Sequence, residues 1–137
     1  MNLIGLLETR KREIIDESLC RAGSRDQESS GVGETRHRLE KLYALTLECL
    51  KKNDLTPMLQ YARQVTREHY PNNYDLKEVQ TAFGLLEQEI RKQITAELQP
   101  GEYPRALGLT STVLGAGKQA MAAEYFLSLA HETVRLW

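Results

Sequence analysis

From Pro104 to Trp137 the chain contains no helix breaker stronger than an isolated glycine. This end of the sequence is therefore predicted to be one helix of about 30 residues, long for a globular protein. A rod of that length spans roughly 45 Å, so the remaining elements have to pack along it. One apolar stripe on it runs through Leu109, Val113, Ala116, Ala120, Ala123, Leu127, Ala130, Val134 and Trp137, alternating steps of four and three. A second, adjoining stripe of Leu107, Thr110, Leu114, Gly117 and Met121 widens the apolar surface. The small residues in both allow a neighbouring helix to approach closely. Between Arg105 and His131 the only charges are Lys118 and Glu124. A helix apolar on two sides is either central in its own domain or paired with a partner, because a lone domain would leave one stripe as an exposed patch.

The preceding sequence reads as four shorter helices. Leu3, Leu7, Ile14 and Ile15 fall on one face of a helix from Leu3 to about Leu19, with Arg10, Lys11, Arg12 and Glu13 on the rest of the turn. Residues 22–33, AGSRDQESSGVG, hold three glycines and three serines and almost no apolar content. They are expected to form a mobile loop, since nothing there offsets the entropy of ordering. Helical spacing returns from Glu34 to Lys51 through Leu39, Leu42, Tyr43, Leu47 and Leu50, and ends in Lys52-Asn53-Asp54. Thr56 followed by Pro57 reads as an N-cap with proline at the first helical position. That helix runs to about His69, where Pro71-Asn72-Asn73 stops it. Asp75 and Glu78 have the spacing of a capping box. Behind them Leu76, Val79, Phe83, Leu86, Ile90, Gln93 and Glu97 step by three and four until Gln99-Pro100-Gly101. The expectation is a single all-α domain over residues 1–137, a five-helix bundle with a long C-terminal helix.

Composition narrows the function classes. Eighteen Lys and Arg against nineteen Asp and Glu leave a net charge of −1, without the basic excess that phosphate contacts need, so nucleic acid is not an expected partner. No apolar run approaches the roughly 20 residues that cross a bilayer, and the opening Met1–Leu7 lacks the basic start of a signal peptide. Cys20 and Cys49 lie far apart among leucines, which suits buried, reduced thiols and a cytoplasmic location. Gly115-Ala116-Gly117-Lys118 is not a phosphate loop: Thr112 stands where its first glycine should be and Gln119 where its hydroxyl should follow.

His37, His69 and His131 include no pair at the spacing of two metal ligands on one helix, so no metal is expected. No nucleophile, base and orienter can be named, and Glu87, Glu89, Arg91 and Lys92 read as a solvated face. The chain is accordingly expected not to be an enzyme and to need no cofactor. A helical domain can hold a tetrapyrrole through one histidine. His69 is the candidate ligand for haem, with Met58, Tyr61, Phe83 and Met121 as candidate lining for it or another apolar small molecule, although at helical spacing such residues are more often plain core.

Three segments carry a resemblance: LLETRKREIIDESL, YARQVTREHYPNNYDLKEVQTAFGLLEQEIRKQI and STVLGAGKQAMAAEYFLSL. Together they resemble the helical N-terminal domain of RsbRD-type stressosome co-antagonists, which also occurs ahead of bacterial sensor histidine kinases. The chain departs from that pattern at Ser18, where a tryptophan is expected, and over residues 22–33. The resemblance implies a non-catalytic bacterial signalling input module in the stress response, whose last helix relays to a kinase or STAS-type output; the chain is then expected to be a stand-alone or truncated version, or to have that output supplied by another protein. Related stressosome input domains have a globin-like fold without haem, so the resemblance also implies globin-like packing as the alternative to a simple bundle. The expected mode of action is homodimerisation through Leu109, Val113, Ala116, Ala120, Ala123, Leu127, Ala130 and Val134.

Overall fold

The computed structural model describes residues 2–23, 32–70 and 72–135. Six α-helices and a short 3-10 turn make up these residues: α1 Leu3–Thr9, α2 Lys11–Gly23, α3 Val32–Lys52, α4 Thr56–His69, α5 Asn73–Glu97, the turn Pro100–Glu102, and α6 Tyr103–Arg135. The all-α class and the long last helix are as the sequence predicts. The first expected helix is divided at a single residue, Arg10 (φ −103°, ψ 14°). Hydrogen bonding continues across the break, with Arg10 N–H donating to Leu6 O at 2.9 Å and Ile14 N–H to Arg10 O at 3.0 Å, so α1 and α2 are one helix with a kink. The Arg10 guanidinium bridges Glu13 at 2.8 Å and Glu97 at 3.4 Å, tying the kink to the end of α5.

Helix ends show where local signals were misread. Helix enters the expected 22–33 loop from both sides, since Ala22 and Gly23 close α2 and Val32 and Gly33 open α3; residues 24–31 lie outside the described residues. Thr56 is the first residue of α4 rather than its cap, and its hydroxyl and N–H both donate to Asp54 Oδ1, at 2.7 and 3.0 Å. Those two bonds hold the Asp54 carboxyl below its usual pKa. Asp75 lies inside the first turn of α5, because the helix already begins at Asn73. The end of α3 is a left-handed stop: Asn53 takes φ 52°, and Asp54 N–H reaches back to Cys49 O at 3.1 Å, a position where asparagine is the best substitute for glycine.

α6 packs on α4 and α5 and also touches α3, while α3 further contacts α1, α2, α4 and α5. The core is aliphatic and continuous, with Leu6, Leu7, Ile14, Leu39, Leu42, Met58, Phe83, Leu86, Ile90, Ile94 and Leu114 fully buried. Each such side chain contributes about 1.5–3 kcal/mol by leaving water. Tyr43 is buried among them, and its hydroxyl donates to Leu7 O at 2.5 Å; burial pushes the phenol pKa well up. At the turn into α6, Tyr103 Oη donates to Thr95 O at 2.8 Å. This fixes where the long helix starts relative to α5.

One charge expected on a solvated face is inside. Glu89 is 1% exposed and its Oε1 lies 2.8 Å from Arg21 Nε on α2, an ion pair by distance whose N–H does not point at the oxygen. Arg21 also donates from Nη1 to Gln88 at 3.2 Å. Glu89 follows Ala82 and Leu85 at helical spacing, both buried, so it belongs to the side of α5 that meets α2. Ser18, where the family resemblance expects tryptophan, is fully buried in α2 and bonds Ile14 O at 2.8 Å.

Candidate functional site: the outer face of the last helix

Which stripe of α6 faces the core follows from where α4 and α5 lie. Thr110, Leu114, Gly117 and Met121 are buried, so the second stripe is the packing side and Leu107 its partly buried edge. Gly117 is there for space. A Cβ at this position would sit 2.6 Å from Cε1 and 2.9 Å from Cζ of Phe83, and 3.1 Å from Cγ of Met58, so α6 reaches its partners only without a side chain. Thr110 keeps its hydroxyl satisfied by donating to Ala106 O at 2.9 Å.

The longer stripe divides. Val113 and Ala120 are buried, Ala116 is half-buried and Leu109 is 37% exposed. From Ala123 onward the stripe faces solvent: Leu127 is 63% exposed and Val134 70%, and Ala123 and Ala130 are exposed as well. Trp137 lies outside the described residues. Two further apolar side chains join the patch that the stripe did not include, Phe126 at 70% and Leu129 at 42%. Phe126 adjoins Leu127, Ala130 and Ala123 on the cylinder of a helix with 3.6 residues per turn. It would have been found by widening the stripe by one position.

No exposed position of α6 from Gly108 to Ala130 is charged. Neither of the two charges in that interval is at an exposed position: Lys118 is half-buried, and Glu124 lies 2.8 Å from Arg67 Nε of α4 with its side chain 13% exposed. Beyond Glu124 the inner side of α6 meets the end of α4. Tyr125 makes an edge-on ring contact with Tyr70, centroids 5.4 Å apart, and the Tyr70 hydroxyl donates to Glu132. That bond raises the Tyr70 pKa to about 12.

Two open grooves flank α6. One, of about 340 Å³, lies between the end of α4, the start of α5 and the middle of α6, and is lined by Thr66, Leu76, Lys77, Gln80, Met121, Ala122, Tyr125 and Phe126. The other, of about 900 Å³, lies at the opposite end of the bundle. Its floor includes Leu3, Leu98, Ala106 and Val113, and its rim Asn53, Asp54, Glu102 and Arg105.

The candidate ligand residues are not brought together. Met58 and Phe83 are fully buried and meet at Gly117 as packed core. Met121 lines the smaller groove. Tyr61 is half-buried in α4, where burial raises its phenol pKa. His69, half-buried at the end of α4, lines neither groove. Of the two free cysteines Cys49 is buried, which pushes its thiol pKa up, and Cys20, expected to be buried, is exposed. Among the described residues no three His, Cys, Asp or Glu side chains converge as metal ligands, and no helix is long and apolar enough to cross a membrane. No known protein family, curated protein or solved structure matches the chain.

Proposed function

We propose that this chain is a non-catalytic regulatory module of the bacterial cytoplasm that acts by protein–protein contact, pairing with a second copy of itself through the outer face of α6. The observation that carries it is the uncharged exposed side of α6 from Gly108 to Ala130 with Phe126, Leu127 and Leu129 standing in water. A solvent-facing helix side ordinarily carries charge, and contiguous apolar surface of this kind marks an interaction site. Taken with Leu109 and Val134, the exposed area of these side chains is on the order of 500 Å² per copy. A two-fold pair would thus bury about 1,000 Å², which reaches the lower bound for a specific interface. The resemblance to RsbRD-type input domains supports a place in stress signalling, with a kinase or STAS-type protein as the output.

The test is mass in solution. Light scattering at tens of micromolar should give twice the 15.6 kDa of one chain, and Ala123→Glu or Leu127→Glu should return it to one chain while leaving the helical circular dichroism intact. A wild-type monomer at that concentration refutes pairing.

The larger groove supports a second reading, a helical sensor for a small apolar molecule, because 900 Å³ over an apolar floor is the size of a small-molecule site. Native mass spectrometry of the freshly purified chain should then show a bound adduct. For a tetrapyrrole, haemin titration should produce a shifted Soret band, and because His69 lines neither groove the band should survive in His69→Ala; an unshifted band eliminates haem.

A further inference from the structure

We propose that the two copies pair with α6 antiparallel to α6, and that Phe126 of each seats in the smaller groove beside α6 of the other; this rests on the pairing reading above and deepens it. The groove is chemically a place for an aromatic ring. Met121 offers a thioether, Tyr125 a ring wall and Lys77 an ammonium at the rim, and each of these groups makes favourable contacts with a π-face or edge. At about 340 Å³ it has room for one such side chain and not for a helix. The largest exposed apolar side chain among the described residues is Phe126 itself, 70% in water at the lip of this groove. Forming the lip, it leaves the interior to another ring.

Direction follows from symmetry. Ala122 and Phe126 lie on the same flank of α6, the flank toward Leu76, Lys77 and Gln80 of α5. A two-fold axis along the helices would place the two copies of this flank on opposite sides of the pair, so neither Phe126 could reach the other groove. An axis perpendicular to the helices keeps both flanks on one side and lets both rings enter at once, which is the self-complementarity an isologous contact requires. Seating Phe126 over the partner's Ala122 centres the pair near Glu124. Gln119, exposed and on the same outer face, then comes within one residue, about 1.5 Å along the axis, of the partner's Ala130. In a parallel pair those two positions would be about 16 Å apart along the axis.

Cross-linking between distinguishable copies decides it. Tagged Gln119→Cys protein is mixed with untagged Ala130→Cys protein, both in a Cys20→Ser background that removes the exposed native thiol. Mild oxidation should give tagged-to-untagged disulfide dimers in at least tenfold excess over same-site disulfides. Same-site disulfides, or no mixed disulfide in protein that light scattering finds dimeric, overturn the antiparallel seat and leave pairing standing; a monomer in light scattering overturns pairing itself. Ala122→Leu, which fills the groove from an exposed position, and Phe126→Ala, which removes the ring, should each weaken dimerisation tenfold or more with the fold retained. Dissociation constants within twofold of wild type for both would overturn the seating of Phe126.

Discussion

The two halves of α6 share one sequence pattern and have opposite surroundings. From Ala106 to Met121 the helix is gripped by α4, α5 and α3, and its close approach depends on Gly117. From Ala123 to Val134 the same alternation of four and three continues past the end of α4, so the stripe runs out over water while Arg67 and Tyr70 tie the inner side. Apolar periodicity therefore marks a continuous apolar face without saying how much of it is covered. How much the chain's own core covers depends on how far the neighbouring helices extend.

The sharpest way to break this comparison is one substitution made twice on the same stripe. Ala120→Glu puts a carboxylate where only 8% of the residue is exposed, and should abolish cooperative unfolding altogether, since an unpaired buried charge costs several kcal/mol of a stability of about 5–15. Ala123→Glu, three residues on, should leave the unfolding free energy of the monomer within about 0.5 kcal/mol. If both unfold the protein, the division of α6 is wrong. Next in size, Leu114→Ala should cost about 2–5 kcal/mol in urea denaturation, against about 0.5 or less for Leu127→Ala measured below the dimerisation concentration.

Gly117→Ala sharpens the same boundary by a smaller amount. Helix propensity alone would stabilise by about 1 kcal/mol, whereas displacing the Phe83 ring costs about 1–3, so the midpoint should fall; Gly115→Ala, where an added Cβ meets nothing within 4 Å, should raise it. A rise at both positions would show that Phe83 yields freely. The smallest effect is at the outer end. The Tyr70 phenol has a folded pKa raised to about 12 through its bond to Glu132, above the ordinary value near 10. Its contribution to holding the end of α6 is thus complete below pH 10 and disappears as pH rises toward 12. Absorbance titration should show one late-ionising tyrosine fewer in Tyr70→Phe, and no difference would remove the tie.

Much of this was legible because helical periodicity is a direct image of burial. The α5 seam of Leu76, Val79, Phe83, Leu86 and Ile90 is buried throughout, and it loses burial at Gln93 and Glu97, where its polar residues begin. What periodicity left open was any feature fixed by a neighbour: the inner stripe of α6, the inward turn of Glu89 toward Arg21, and the cap of α4, where Asp54 takes both hydrogens of Thr56. The surface patch was readable as a stripe and incomplete as a site. Phe126 is one residue off the strict four-three alternation, and the groove beside it draws on α4 and α5 residues that share no local pattern with it.

The single bond from Tyr103 to Thr95 at the α5–α6 turn bears on how such a helix could carry a message. It fixes the start of a 33-residue rod whose first half is packed against α3, α4 and α5, while among the described residues the far half is braced by a ring contact and two side-chain ties. With the first half held in the core, any movement that follows from loosening Tyr70 is confined to the outer half of the rod, around Val134.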